Sequence, residues 1–187
     1  MSPSIPIYVM LIPLITFAAC SSPPPIRTAK AVDLEQFMGD WYVIANIPTF
    51  LEKDAYNAVE SYRLAQDGTV ATTFRFRQGS FDGELKAYHP TGYILDRETN
   101  AVWGMQFIWP IKADYRILYV DDAYSQTIIG RIDRDYVWLM ARTPQLPETD
   151  YQHFLELIAA EGYDITQVQK VPQRGSVEDR EGTNAAQ

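Results

Sequence analysis

Cysteine and histidine are almost missing from this chain: Cys20, His89 and His153 are the only ones in 187 residues. A lone thiol closes no intrachain disulfide and builds no thiolate metal site. No metal and no organic cofactor is therefore expected. Basic residues are also scarce. Sixteen Lys and Arg face 24 Asp and Glu, for a net charge of −8. A surface of that sign repels phosphate backbones, which excludes nucleic acid as a partner and disfavours electrostatic adhesion to an anionic membrane. Long apolar runs are absent except near the start. Residues 5–19 carry no charge, are broken by Pro6 and Pro13, and fall short of the ~20 residues a membrane-spanning helix needs. No internal repeat of solenoid length is visible.

Apolar and aromatic side chains are plentiful: 47% of the chain is hydrophobic and 13% is aromatic, enough for the core of one domain. Strand signals dominate the middle of the chain. Residues 41–47, 56–64, 69–78, 84–96, 101–109, 114–121, 127–132 and 136–142 read as strands. Gln66-Asp67-Gly68, Arg97-Glu98-Thr99-Asn100 and Asp133-Arg134-Asp135 supply turns between them, and His89-Pro90-Thr91-Gly92 interrupts the fourth. Eight strands in succession on short turns fit an up-and-down antiparallel barrel rather than βαβ units.

One helix follows. Pro147-Glu148-Thr149 opens it, with Thr149 and Gln152 spaced as a capping box. Tyr151, Phe154, Leu155 and Ile158 form one apolar stripe, and Gly162 stops it. Residues 165–171 read as a last short strand. In residues 136–142 both faces are mostly apolar, so one faces the barrel interior and the other is expected to lie under the helix. Beyond 172 the chain is polar and aperiodic, and residues 173–187 read as a disordered tail.

The uncharged N-terminal run ends in Phe17-Ala18-Ala19-Cys20, which resembles the lipobox of bacterial lipoproteins, with Phe17 where Leu is usual. That resemblance implies a signal peptide over 1–19, a lipid on Cys20 and a tether over 20–31 that includes Ser21-Ser22-Pro23-Pro24-Pro25. Ser21 at the sorting position implies the bacterial outer membrane, with the protein facing the periplasm. An ordinary signal peptide that leaves Cys20 as a free thiol is the open alternative.

Gly39-Asp40-Trp41-Tyr42 resembles the Gly-x-Trp-Tyr signature of the first lipocalin strand. The run from Tyr136 to Pro144 resembles the last barrel strand of the bacterial lipocalin and apolipoprotein D branch. Asp114-Tyr115 resembles the family's middle motif weakly, with Ala113 where Thr is usual. The likeness spans about residues 32–171 and implies an eight-stranded barrel with one external helix over 32–172. It also implies that Trp41 packs beneath Arg142 at the closed end, a favourable cation–π contact of about 0.5–2 kcal/mol. Gly39, Trp41 and Arg142 are thus structural signature residues.

The same parity that points Trp41 inward points Trp138 and Met140 inward. With Phe74, Phe76, Trp103, Met105, Phe107, Ile117 and Tyr119 they form the expected apolar lining, free of any Asp, Glu or His cluster. Such a lining suits an acyl chain, and the resemblance implies a fatty acid or lysophospholipid. Arg75, Arg77 or Lys112 near the mouth could meet its head group. Phe50, Leu51 and Tyr56, in and beside the loop between the first two strands, are candidates for a lid. A homodimer is left open.

No catalytic residue is expected. Ser80 in Gly79-Ser80-Phe81-Asp82-Gly83 is misplaced for a nucleophile elbow. A lipid-processing enzyme and a ligand-free structural lipoprotein remain as alternatives.

Overall fold

A computed structural model of the protein describes residues 24–175. Cys20 and the proposed signal peptide lie outside the described residues, as does the tail after 175. In chain order the strands are β1 (Gly39–Ile47), β2 (Ala55–Leu64), β3 (Val70–Gln78), β4 (Leu85–Tyr88), β5 (Thr91–Ile94), β6 (Val102–Ile108), β7 (Ile111–Val120), β8 (Gln126–Gly130), β9 (Val137–Ala141) and β10 (Gln169–Lys170). Two α-helices join them, α1 (Leu34–Phe37) and α2 (Glu148–Ala160), with a 3₁₀ turn at Ile165–Gln167.

Sequential strands pair antiparallel, and β9 pairs back onto β1 from Tyr42↔Ala141 to Ile47↔Val137. That last pairing closes the sheet and removes its long edges. β4 and β5 both pair with β3 and are halves of one stave, broken at His89-Pro90, where proline has no N–H for the ladder. Counting them as one gives eight staves, while β10 is a short addition to β1.

The expected division of the last strand is present. Trp138 and Met140 belong to the inner core, together with Trp41, Phe74, Phe76, Trp103, Met105 and Ile117. Val137, Leu139 and Ala141 belong to an outer core, where Tyr151, Phe154 and Ile158 of α2 cover them. Full burial of Phe154 and Ile158 contributes roughly 1.5–3 kcal/mol each, which fastens the helix to the wall.

Simple alternation fails where a strand carries an extra residue. β7 and β8 shift register between Ile117 and Tyr119. Ile117 points inward, but Leu118 and Tyr119 both pack on the outer core, and the Tyr119 ring meets Phe154 edge-on at 5.6 Å. Tyr119 therefore lies outside the barrel and is no lining residue, because a bulge reverses the side-chain parity. β1 shifts in the same way between Val43 and Ala45. Ile44 and Ala45 consequently both face outward, and Asn46 reaches inward.

Other expectations shift by a residue or a turn. Helix α2 begins at Glu148 behind Pro147, so Thr149 makes no cap; Gln152 instead donates to the Glu148 side chain at 2.8 Å. Residues 165–171 are mainly the 3₁₀ turn, with strand only at Gln169–Lys170. The tether is fastened at its end. Ala29 N–H donates to Ile117 O at 2.9 Å, and Arg27 pairs with Glu161 at 2.7 Å. The start of the polar tail is docked as well: Gln173 Nε2 donates to Val43 O and Ala58 O at 2.8 and 2.9 Å.

The closed end is built from a polar problem. Helix α1 is one turn long, so its last carbonyls have no helical partner. Asp33 caps its start by accepting from Glu35 N and Gln36 N. Arg142 collects the other end. Its Nη2 donates to Gln36 O, Phe37 O and Met38 O, its Nη1 to Asp40 O, and its Nε to Tyr124 O, at 2.7–3.2 Å. The guanidinium lies 3.8 Å over the Trp41 ring, and Trp41 Nε1 donates to Phe37 O at 2.8 Å. Burial lowers the Arg142 pKa to about 10, so it stays charged at neutral pH. Gly39 has φ +97°, and a Cβ there would lie 3.2 Å from Arg142 Nη1.

Replacing Arg142 with Met keeps the aliphatic length but takes the guanidinium donor from Gln36 O and Met38 O and leaves Phe37 O with Trp41 alone. Urea unfolding is expected to show a loss of roughly 2–4 kcal/mol. Gly39→Ala is expected to cost roughly 1–2 kcal/mol in the same measurement, from the positive φ and the crowding of Arg142.

Candidate functional site

Above the sealed base the barrel is hollow. A cavity of about 500 Å³ opens at the end where β1 leaves for β2 and β6 turns into β7. Phe74, Tyr88, Met105, Phe107, Ala113, Tyr136 and Trp138 form most of its wall. The lower half of the interior is filled instead. Phe37, Trp41, Tyr62, Trp103 and Tyr115 pack together there in tilted, edge-on and stacked contacts at 5.1–6.4 Å. Of the expected lining, Phe74, Met105, Phe107 and Trp138 bound the cavity. Trp103, Ile117 and Met140 point inward but are fully buried in the packed lower part, and Phe76, one inward step nearer the mouth than Phe74, is buried behind Phe74 and Tyr88; none of the four faces the cavity.

The mouth is an apolar collar. Phe50, Ile108, Trp109 and Ile111 are 69–82% exposed, and all but Trp109 also border the cavity. Phe50 and Leu51 lie in the loop between β1 and β2, over the opening. Tyr56 does not take part in this lid: it packs edge-on against Phe81 at 5.0 Å.

The absence of acids from the lining is not what the structure shows. Glu52 and Glu60 both border the cavity, with Asp114 and His89. Glu52 turns in from the β1–β2 loop and is 7% exposed. Its carboxylate accepts from Trp138 Nε1 and Asn46 Nδ2 at 2.8 Å each and from Thr49 Oγ1 at 3.0 Å. These bonds tie the lid loop to the barrel wall. Burial raises the Glu52 pKa, against the lowering effect of its three donors.

Glu60 sits at the cavity floor. It is directly opposite Trp41 on β1 and Phe74 on β3, and so shares their inward face. Tyr62 O–H donates to Glu60 Oε2, and the Tyr62 and Tyr115 hydroxyls lie 2.6 Å apart. Burial, with a smaller contribution from the Glu52 charge, pushes the Glu60 pKa up to about 8. The carboxyl is therefore largely protonated at neutral pH. The signal for it was in β2: Ser61 and Arg63 are the outward polar residues, which leaves Glu60 and Tyr62 to the interior.

The cations also sit differently from expectation. Arg75 pairs with Asp40 on the outer surface at 2.9 Å, Arg77 donates to Gly83 O at 3.1 Å, and Lys112 lies 3.6 Å over the Tyr93 ring. None borders the cavity; Arg131, just after β8 at the open end, does. Arg131 Nη1 pairs with Asp135 at 2.8 Å, and its buried Nε has no partner among the described residues. Asp114 holds this end together by accepting from Arg116 Nε at 3.0 Å and from Ile132 N at 2.8 Å.

A lipocalin-like domain model matches residues 32–173. The chain belongs to the lipocalin family. Temperature-induced lipocalin-1 of Arabidopsis thaliana is 31% identical over 160 residues, 79% of this chain and 83% of that one. Outer membrane lipoprotein Blc of Escherichia coli K12 is 28% identical over 176 residues, 89% of this chain and 99% of that one. Insecticyanin from the tobacco hornworm Manduca sexta shares the fold, with a TM-score of 0.65 at 15% identity over 84% of this chain and 88% of that chain.

In this lipocalin the candidate hydrolytic residues do not converge. Ser80 lies in the turn after β3, His89 is exposed and shares a 3.2 Å hydrogen bond with Thr73, and His153 lies on the exposed face of α2 beside Phe154. Among the described residues no group of three or more His, Cys, Asp or Glu is placed to hold a metal ion.

The Glu60 shift has a consequence for stability. The folded protein keeps a proton that the unfolded chain releases near pH 4.5, so the contribution of Glu60 to stability is full below that pH and declines as pH rises toward about 8. The decline is bounded by about 1.4 kcal/mol per pH unit for one group. Urea unfolding across this range is expected to show a clearly flatter profile for Glu60→Gln than for the parent.

Proposed function

We propose that this lipocalin binds and carries or stores a hydrophobic small molecule, a fatty acid or lysophospholipid, at the bacterial cell envelope, and that it is not an enzyme. The observation that carries this reading is the roughly 500 Å³ hollow with apolar walls, open at one end above a packed base. Each methylene moved from water into such a wall contributes roughly 0.8 kcal/mol, offset in part by the cost of ordering the chain. The collar of Phe50, Ile108, Trp109 and Ile111 extends the apolar surface to the outside, so an acyl chain slides in without crossing a polar ring. The head group then lies at the mouth, where the Arg131 guanidinium borders the cavity and offers a positive charge to a carboxylate or phosphate.

The envelope location rests on the lipobox-like Phe17-Ala18-Ala19-Cys20 and on relatives named outer membrane lipoproteins. Ser21 supports attachment on the periplasmic side of the outer membrane. Against catalysis stands the scatter of Ser80, His89 and His153. Glu60 and Glu52 are engaged by Tyr62 and by Trp138, Asn46 and Thr49, and neither acid is bonded to Ser80, His89 or His153.

Protein purified from its own host and extracted with solvent is expected to release a fatty acid or lysophospholipid in about equimolar amount, seen by mass spectrometry. The delipidated protein is expected to brighten the apolar probe N-phenyl-1-naphthylamine, and Ala113→Trp, which fills the cavity, is expected to weaken that response about tenfold or more. No extractable lipid together with no probe response would defeat the carrier reading.

A further inference from the structure

The floor of the cavity is polar, and a plain hydrocarbon tail does not satisfy it. Glu60 faces the cavity from the same face as Trp41 and Phe74. One of its oxygens accepts from Tyr62, and Tyr62 is bonded in turn to Tyr115. The other oxygen, Oε1, has no hydrogen-bond partner among the described residues. Around it Phe74, Met105 and Trp138 form the wall and Trp41 and Trp103 lie beneath, while the neighbouring acid, Glu52, is already held by Trp138, Asn46 and Thr49. A carboxyl oxygen at the cavity surface left facing a methyl group forfeits a hydrogen bond that water or a polar ligand atom would supply.

Resting on the carrier reading above, we propose that Glu60, Tyr62 and Tyr115 seat a neutral hydroxyl at the end of the ligand that leads into the barrel. The cavity is then selective for acyl chains hydroxylated at the tip over chains ending in methyl or in a second anion. Three observations select this group. A hydroxyl both donates and accepts, and the protonated Glu60 can do either in return. An anion at the floor meets Glu60 and the nearby Glu52 charge, while the cavity's guanidinium, Arg131, is at the mouth. The chain geometry also fits: Glu60 lies five residues along β2 from Ala55 at the open end, roughly 17 Å along the strand and less along the tilted barrel axis. A lauroyl-length chain with its carboxylate at Arg131 spans that depth.

The test compares laurate, ω-hydroxylaurate, ω-aminolaurate and the corresponding α,ω-dicarboxylate as displacers of N-phenyl-1-naphthylamine from delipidated protein near neutral pH. All but the dicarboxylate keep a single carboxylate for the mouth and differ only at the tip. Expected is that ω-hydroxylaurate binds about tenfold more tightly than laurate, and that the dicarboxylate binds worst. Glu60→Leu is expected to abolish the hydroxyl advantage while binding laurate at least as well as the parent does, a gain that a merely damaged fold would not produce. Glu60→Gln, which retains a donor and an acceptor, is expected to keep most of the advantage; it also serves if Glu60→Leu does not fold. Equal affinities for laurate and ω-hydroxylaurate would overturn the inference and leave the carrier reading intact. Tightest binding by ω-aminolaurate, lost in Glu60→Gln, would overturn it in favour of a cation seat. Displacement by none of the four would count against the carrier reading itself.

Discussion

The rest of the barrel depends on what Arg142 does at the base. A one-turn helix crosses the closed end, and one turn cannot satisfy its own C-terminal carbonyls. Placing one guanidinium beneath three of them, with Asp40 O and Tyr124 O as further acceptors, satisfies five bonds from a single side chain. The same plane covers the Trp41 indole at 3.8 Å. This cluster ties α1, β1, the β7–β8 turn and the segment after β9 together without a disulfide. Lysine could not replace it: an ammonium is a point donor with no plane to stack and no fork to spread over carbonyls.

Sealing the base in this way decides where the empty space lies. The aromatic stack of Phe37, Trp41, Tyr62, Trp103 and Tyr115 fills the interior up to Glu60. Above that level the wall residues are held from outside. Helix α2 presses on the outer faces of β1, β8 and β9, and residues 173–174 pin the bulge at Asn57 and Ala58 in β2. A wall braced from behind does not have to collapse inward to be stable, and this is how a hollow persists in a protein whose interior is otherwise close-packed.

Much of this was legible in the sequence, and the failures have physical causes. The eight strands, the external helix, the Trp41–Arg142 stack and the two-faced last strand follow from alternation and from the family motifs. Alternation stops working at a bulge, and bulges leave little trace in an unaligned sequence. The extra residue at Leu118 moves Tyr119 to the outside, and the one at Ile44 turns Asn46 inward. Short α1 has its own signal, since Asp33 and Gln36 are spaced as a capping box, but four residues carry no helical periodicity. Trp103, Ile117 and Met140 show a different limit. The period of two assigns a face but not a height, so it cannot separate a residue in the packed lower half from one beside the cavity.

The acids of the cavity were hidden for other reasons. Glu52 comes from a loop, where no periodicity applies, and only the meeting of Asn46, Thr49 and Trp138 around it explains why it turns in. Glu60 obeys the alternation of β2, and what hid it was the expectation that an inward position must be apolar. That expectation holds when a polar group is left without partners. Here Tyr62, itself bonded to Tyr115, reaches Glu60 from the sealed side, and burial holds the proton on the carboxyl, so no bare charge is buried. The cost of keeping an ionisable group in an oily floor is thus reduced to one unfilled hydrogen bond on the side that faces the cavity. A filled barrel would have no use for such a bond, and an aliphatic residue would be more stable in its place. The retained carboxyl makes physical sense if something polar comes to meet it from above.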